Sequence, residues 1–299
     1  MRATLGAFAV VTLAASAAAQ TTARDSAAAH NAFVAGKAAV NARNIDQAVD
    51  LLERAVAIDA AQWEYHMWLG HAYSRQIGRV NIMRKAFVGR RIAAAYNRAV
   101  ELAPQSVEAA EARLDFFLNA PGIVGGGKDK AVAEAARIAT LNAYRGGFAS
   151  ARVAEHEKDY AHAEADYRAL MRAYPDSGDP VAALASLLQA TNRYDDAFTL
   201  VDQRLARYPD DAANLYQLGR MSSASGRDLQ RGEQALRRFL SLLGVQDRFR
   251  QANGHFRLGM IREKLGDSTT AIAEYRQAVE LNPAHEPAAG ALKRLERGR

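Results

Sequence analysis

The stretch 252–285 limits the fold of this chain more tightly than any other. It carries Leu258, Gly259, Gly266, Ala271, Tyr275, Ala278 and Pro283. A helix brings residues three, four and seven apart onto one face. His255, Leu258, Gly259 and Arg262 therefore line one side of a first helix, and Ala271, Tyr275 and Ala278 line one side of a second. Gly266 with Asp267 supplies the turn between them, and Pro283 ends the second helix after Leu281 and Asn282. Helices joined by so short a turn run antiparallel, and the small residues Gly259 and Ala271 sit where the backbones approach. A large side chain at either position would overpack the crossing by about 1–3 kcal/mol.

The same intervals divide the chain into units near 29–62, 63–106, 107–143, 144–177, 178–211, 212–251 and 252–285, followed by a capping helix and tail over 286–299. Ala60 stands where the first unit would have its proline. In the second unit the step from Tyr73 to Ile92 is ten residues longer than the matching step from Arg262 to Ala271. The added residues include Arg75, Arg79, Arg84, Lys85, Ile82 and Phe87, a pattern that predicts an elongated amphipathic second helix. The third unit is irregular: Leu114 replaces the usual glycine, and the run from Pro121 to Gly127 breaks the helical pattern. One extra residue precedes Gly232 in the sixth unit, and a connector over 240–251 leads to the seventh. In 286–297, Leu292 and Leu295 are placed to cover the apolar end of the array while Lys293, Arg294 and Arg297 face water.

The order Leu-Gly, Ala, aromatic, Ala, Pro on a 34-residue step resembles the tetratricopeptide repeat. The resemblance covers about 29–285. It implies an all-α fold, a right-handed α-solenoid of about seven helix hairpins with a C-terminal cap, whose concave groove, lined by first helices, binds a protein or peptide. Non-catalytic scaffolding is the expected function. In such repeats the second, fifth, ninth, twelfth and thirteenth positions face the groove. Carried onto this chain, fifth positions include Phe33, Met67, Phe148, Tyr216 and Phe256. Lys37, His71, Arg75, Arg145, Arg152, Arg220 and Lys264 accompany them, with Glu155 and Glu263 as counterweights. Aromatic and Arg side chains are common energetic centres of interfaces, which points to an extended peptide with apolar and acidic groups. The alternative is that the aromatics pack between adjacent repeats. The ninth positions, among them Asp115, Ser186 and Met260, lack the paired Lys and Asn by which some such repeats grip a C-terminal carboxylate.

Other chemistry is poorly supplied. Seven prolines, few β-branched runs and 49% hydrophobic content in 299 residues favour helix and a substantial core. There is no cysteine, which excludes disulfides, thiolate metal sites and cysteine nucleophiles. His66 and His71 are five apart and His156 and His162 six apart, neither the four-residue spacing that puts two imidazoles on one helix face. No metal, cofactor or catalytic residue is expected. Asp195, Asp196, Asp210 and Asp211 fall at turns and caps, where Asp accepts backbone hydrogen bonds, and Ser222 and Ser223 have no histidine nearby in sequence. Gly122, Gly127 and Lys128 fit the G-x-x-x-x-G-K phosphate loop, but Asp129 follows where Ser or Thr would hold magnesium, and no strand precedes it. Nucleotide binding or hydrolysis there is the remotest alternative. A nearer one is binding of a polyanion or membrane surface through the basic stretch 75–98; no specific nucleic acid is expected at a net charge of only +6.

Arg2 precedes an apolar run from Leu5 to Ala15, and Ala17 and Ala19 form an A-x-A pattern. This reads as a cleavable secretory signal over 1–19 with a linker over 20–28, because the run is short for a span of about 20 residues. A bacterial periplasmic or secreted location follows, with no transmembrane segment after cleavage.

Overall fold

The computed structural model describes residues 24–297. The signal stretch 1–19, its cleavage after Ala19 and the last two residues of the tail lie outside the described residues. Every regular element among them is helical: α1 (24–41), α2 (Ile45–Ile58), α3 (Trp63–Gln76), α4 (Ile82–Leu102), α5 (Val107–Asn119), α6 (Lys128–Leu141), α7 (Ala143–His156), α8 (Tyr160–Ala173), α9 (Asp179–Ala190), α10 (Tyr194–Arg207), α11 (Ala212–Ser225), α12 (Leu229–Ser241), α13 (Arg248–Lys264), α14 (Ser268–Leu281) and α15 (Glu286–Arg297). The chain forms two compact units, one ending at Lys158 and one beginning at Asp159. The all-α, solenoid-type class expected from the sequence holds within each. The boundary falls at the turn between α7 and α8, inside the hairpin expected over 144–177.

In the first unit α2 to α7 pack each against the next, and α3 also touches α5. Small residues stand at the crossings. A Cβ on Gly70 would meet the Tyr96 ring at 2.6 Å, and one on Gly146 would meet the Cα of Ala139 at 2.3 Å. In the second unit a Cβ on Gly219 would meet Leu236 at 2.1 Å, and one on Gly259 the Tyr275 ring at 2.5 Å. The turns that reverse the chain need left-handed backbone. Gly226 and Gly266 adopt it at φ 80°. Lys158 and Asn192 adopt it at φ 61°, at the same point of their repeats, where a residue with a Cβ costs roughly 1–2 kcal/mol.

Helix starts are capped by side chains. Asn81, Ser106, Asn142, Asp159, Asp211 and Asp267 each accept a hydrogen bond from the backbone N–H three residues on, satisfying donors the helix leaves open. Asp195 and Asp196 lie instead in the first turn of α10. The ten added residues go into the turn after α3 and into α4, which runs for 21 residues as the elongated helix expected. Two boundaries differ from the sequence expectation. Helix α1 already runs at residue 24, inside the span read as linker. The connector read over 240–251 shrinks to 242–247, because Asp247 accepts from the Gly244 N–H at 3.0 Å and starts α13 early. In α15, Leu292 and Leu295 are half-buried while Lys293, Arg294 and Arg297 are exposed. None of the described helices is long and apolar enough to cross a membrane.

Candidate functional site

The lengthened α4 creates a cleft in the first unit. Glycine at position 89 lets the 122–124 turn lie on α4, since a Cβ there would already stand 3.1 Å from Val124. That turn closes the end of a space of about 360 Å³ between α3, α4 and α5. Ile77, Ile92, Phe116 and Val124 wall it; His71, Ser74, Asp115 and Asn119 supply its polar groups.

The floor is a linked set of rings. The His71 ring meets Trp68 edge-on at 5.4 Å and Tyr96 at 5.5 Å. Burial, reinforced by the Arg75 charge, lowers the His71 pKa to about 4, so the imidazole is neutral near pH 7. Burial pushes the Tyr96 phenol up to about 12, so it keeps its proton, and its hydroxyl is hydrogen-bonded to His71 Nδ1 at 2.9 Å. Ser74 donates to the Gly70 carbonyl at 2.8 Å. At the rim Arg152 pairs with the Asp115 carboxylate, while the Asn119 amide donates to the Asp115 carbonyl at 2.8 Å. A neutral, apolar pocket with a polar edge accepts an apolar side chain and orients the chain that carries it.

The sequence-derived groove residues divide sharply. Of the twelve, His71 lines this cleft. Phe33 stacks on Tyr65 at 4.7 Å and Met67 joins the buried cluster beside it. Lys37 lies over the Trp68 ring at 4.8 Å, and Arg75 donates to the Val40 carbonyl. Arg145 is held by both oxygens of Glu111, whose hydrogen bonds raise the guanidinium pKa. Phe148 meets Tyr144 edge-on at 5.1 Å. In the second unit Tyr216 packs on Phe239 at 5.2 Å and Arg220 donates to Ser186 Oγ at 2.7 Å; burial lowers the Arg220 pKa. Phe256 contacts Tyr275 at 5.9 Å and His285 at 4.9 Å, and with Lys264 it borders an open hollow of about 520 Å³ against α15. Packing between helices thus occupies Phe33, Tyr216 and Phe256.

Phe116 and Asn119 were missing from the sequence-derived set, and Asp115 appeared in the sequence reading only as a ninth position, not among the candidate groove residues. The available signal was the irregularity of the third unit, where Phe116 and Phe117 end the first helix just before the glycine run. That run has no phosphate cradle. The N–H groups of Val124, Gly125, Gly126 and Gly127 donate to the carbonyls of Pro121, Gly122, Pro121 and Phe117, which leaves none of the four for an anion. Lys128 pairs with Glu157 at 3.2 Å. No group of three His, Asp or Glu side chains placed to hold a metal occurs among the described residues.

Two stretches match tetratricopeptide repeat family models, 154–221 and 252–285, and neither is a catalytic family. No curated protein matches the chain. Among solved structures it is similar to a tetratricopeptide repeat protein from Parabacteroides merdae ATCC 43184, at 14% identity and a TM-score of 0.55, over 90% of this chain and 99% of that one. It is also similar to MamA, at 18% identity and a TM-score of 0.42, over 52% of this chain and 81% of that one. A third is YrrB, described as a tetratricopeptide repeat protein with an unusual peptide-binding site, at 14% identity and a TM-score of 0.39, over 81% and 97%. The first likeness is one of fold. The chain carries tetratricopeptide repeats, which generally serve as protein- or peptide-binding scaffolds.

Proposed function

We propose that the protein is a non-catalytic, peptide-binding scaffold of the bacterial cell envelope whose ligand seats in the cleft of the first unit. The observation that carries this reading is the open space of about 360 Å³ with apolar walls and four polar groups, His71, Ser74, Asp115 and Asn119. An extended peptide fits it best, with one apolar side chain in the cleft and acidic groups toward the neighbouring cations. The envelope location rests on the leader at 1–19. N-terminal sequencing of the protein from a periplasmic fraction is expected to begin at Gln20, and a start at Met1 in the cytoplasmic fraction would sink it.

Peptides selected from a display library on the full chain provide the ligand for titration calorimetry. Asn119→Trp places a large ring over the cleft from an exposed position, where substitution shifts stability by only about 0.5 kcal/mol either way. It is expected to weaken binding roughly tenfold or more, a cost of about 1.4 kcal/mol, with melting unchanged. Phe148→Ala with Arg152→Ala should weaken it less, since the exposed Arg152–Asp115 pair contributes about 0–1 kcal/mol. Peptides that bind Asn119→Trp as well as the parent would remove the cleft from the function. A collapsed melting temperature in the double variant would assign Phe148 to packing.

A further inference from the structure

The N-terminal end of α4 outreaches the hairpin it belongs to. Gly70 faces Tyr96, and the Arg91 guanidinium lies 4.2 Å over the Tyr73 ring. The end of α3 at Gln76 therefore stands beside the middle of α4. The preceding two turns extend beyond it, and every residue over 81–87 is exposed. Bulky apolar side chains crowd this tip: Ile82 is 77% exposed, Met83 85% and Phe87 62%. Ile123, 80% exposed, sits on the 122–124 turn that Gly89 brings against α4. Ile82 and Gly89 are seven residues apart and share a helix face, so the turn continues the apolar tip. Three of the four most exposed large apolar side chains among the described residues belong to it.

The charge around the tip has one sign. No Asp or Glu occurs from residue 65 to residue 100. Arg91 and Arg98 pair with Glu53 and Glu101, whereas Arg84, Lys85 and Arg90 are exposed and pair with no carboxylate among the described residues. A peptide needs a concavity, but this surface projects. Protruding apolar side chains ringed by unpaired cations match a plane that is anionic at its face and apolar a few ångströms below, which is the interface of an anionic bilayer.

We propose that the tip of α4, through Ile82, Met83 and Phe87 with Arg84, Lys85 and Arg90, docks the protein on an anionic membrane surface. The absence of cysteine allows a single environment-sensitive dye to be placed at will. Full-length Met83→Cys and, as a control in the turn that follows the opposite end of α4, Gln105→Cys are labelled and titrated with phosphatidylcholine vesicles with and without 30 mol % (about one third) phosphatidylglycerol. A blue shift with a several-fold rise in emission is expected at position 83 on the anionic vesicles only, and none at position 105. Because the dye reports its own surroundings, binding through another apolar stretch such as 5–15 does not imitate this result. Arg84→Gln, Lys85→Gln and Arg90→Gln together should raise the lipid concentration at half-effect by roughly a hundredfold, from the contribution of each cation near an anionic surface. Ile82→Ser with Phe87→Ser should abolish the shift while leaving helicity intact, since both residues are exposed. A dye at 83 that stays in water on anionic vesicles overturns the proposal. If the cation variant then loses heparin binding in parallel, the surface is a polyanion site instead.

Discussion

Arg204→Ala is expected to destabilise the second unit by about 3–5 kcal/mol, the cost of removing one partner from a buried ion pair. Arg204 and Asp211 are each only 9% exposed and meet at 2.7 Å. The guanidinium also donates to the carbonyls of Pro175 at 3.0 Å and Asp176 at 2.7 Å, and lies 3.7 Å over the Tyr208 ring. Asp211 does a second task, accepting from the Asn214 N–H at 3.1 Å to cap α11. It fits only because position 178 is glycine; a Cβ there would stand 1.9 Å from the carboxylate. One cation thus ties the turn after α8 to the turn after α10, and its loss strands a carboxylate and two carbonyls together. Loss of 3–5 kcal/mol is a large share of the ~5–15 kcal/mol that holds a domain folded, and the melting temperature should fall by on the order of 10 °C. Amide exchange over 159–297 with far-UV dichroism reads the effect. In a double-mutant cycle, adding Asp211→Asn should cost less in the Arg204→Ala background than alone. A loss below about 1 kcal/mol would reduce the clamp to the value of an exposed pair.

The frame of the fold was legible because the same steric need recurs in four of the hairpins. A Cβ on Gly36 would meet Leu52, one on Gly70 Tyr96, one on Gly219 Leu236 and one on Gly259 Tyr275. The first and last pairs have the same spacing. The second is longer by the ten residues added before Ile92, and the third by the one added before Gly232. Small residue and bulky partner can be matched by counting. The site could not be, for two physical reasons. An aromatic side chain at a helical interval satisfies the core and a ligand groove with the same spacing, so Phe33, Tyr216 and Phe256 carried no mark of their packing role. The cleft depends on a turn folding back onto Gly89, a contact between segments that no local period encodes. Charge was partly readable in retrospect. Arg145 finds Glu111, Arg227 finds Asp195 and Arg238 finds Asp210, each about one repeat earlier in the chain. Of the cations taken as ligand-facing, Arg145 and Arg152 are answered in this way, by Glu111 and Asp115, and the unanswered ones at the tip of α4 stand out.

Stability of the first unit is expected to fall by about 3 kcal/mol as pH drops from 6.5 to 4, because of His71 alone. The imidazole titrates at about 4 in the folded protein against 6.5 in the unfolded chain. Between those values the unfolded state binds the extra proton, so stability rises with pH across the window and is lost on acidification. Carboxylates held low by their partners act in a different range. Glu263, lowered mainly by its hydrogen bonds from Arg294, contributes stability above its ordinary value of 4.5 and loses it only below that. The interval from 4.5 to 6.5 therefore isolates the histidine from such groups. The protein offers its own probe: Trp63 and Trp68, its only tryptophans, both lie in α3, and Trp68 touches the His71 ring at 5.4 Å. Urea unfolding followed by tryptophan emission should show a midpoint that falls steadily from pH 6.5 to 4.5. In His71→Gln, which keeps an acceptor for Tyr96 but has no proton to gain, the midpoint should be nearly flat. An apolar peptide side chain in the cleft would strip more water from His71 and disfavour its protonation further, so peptide affinity should hold constant across this window and fall only as the pH drops through about 4, where the folded protein's imidazole takes its proton. Equal slopes in parent and variant would mean that His71 is hydrated as the free side chain is, and that the cleft is too wet to hold an apolar ligand.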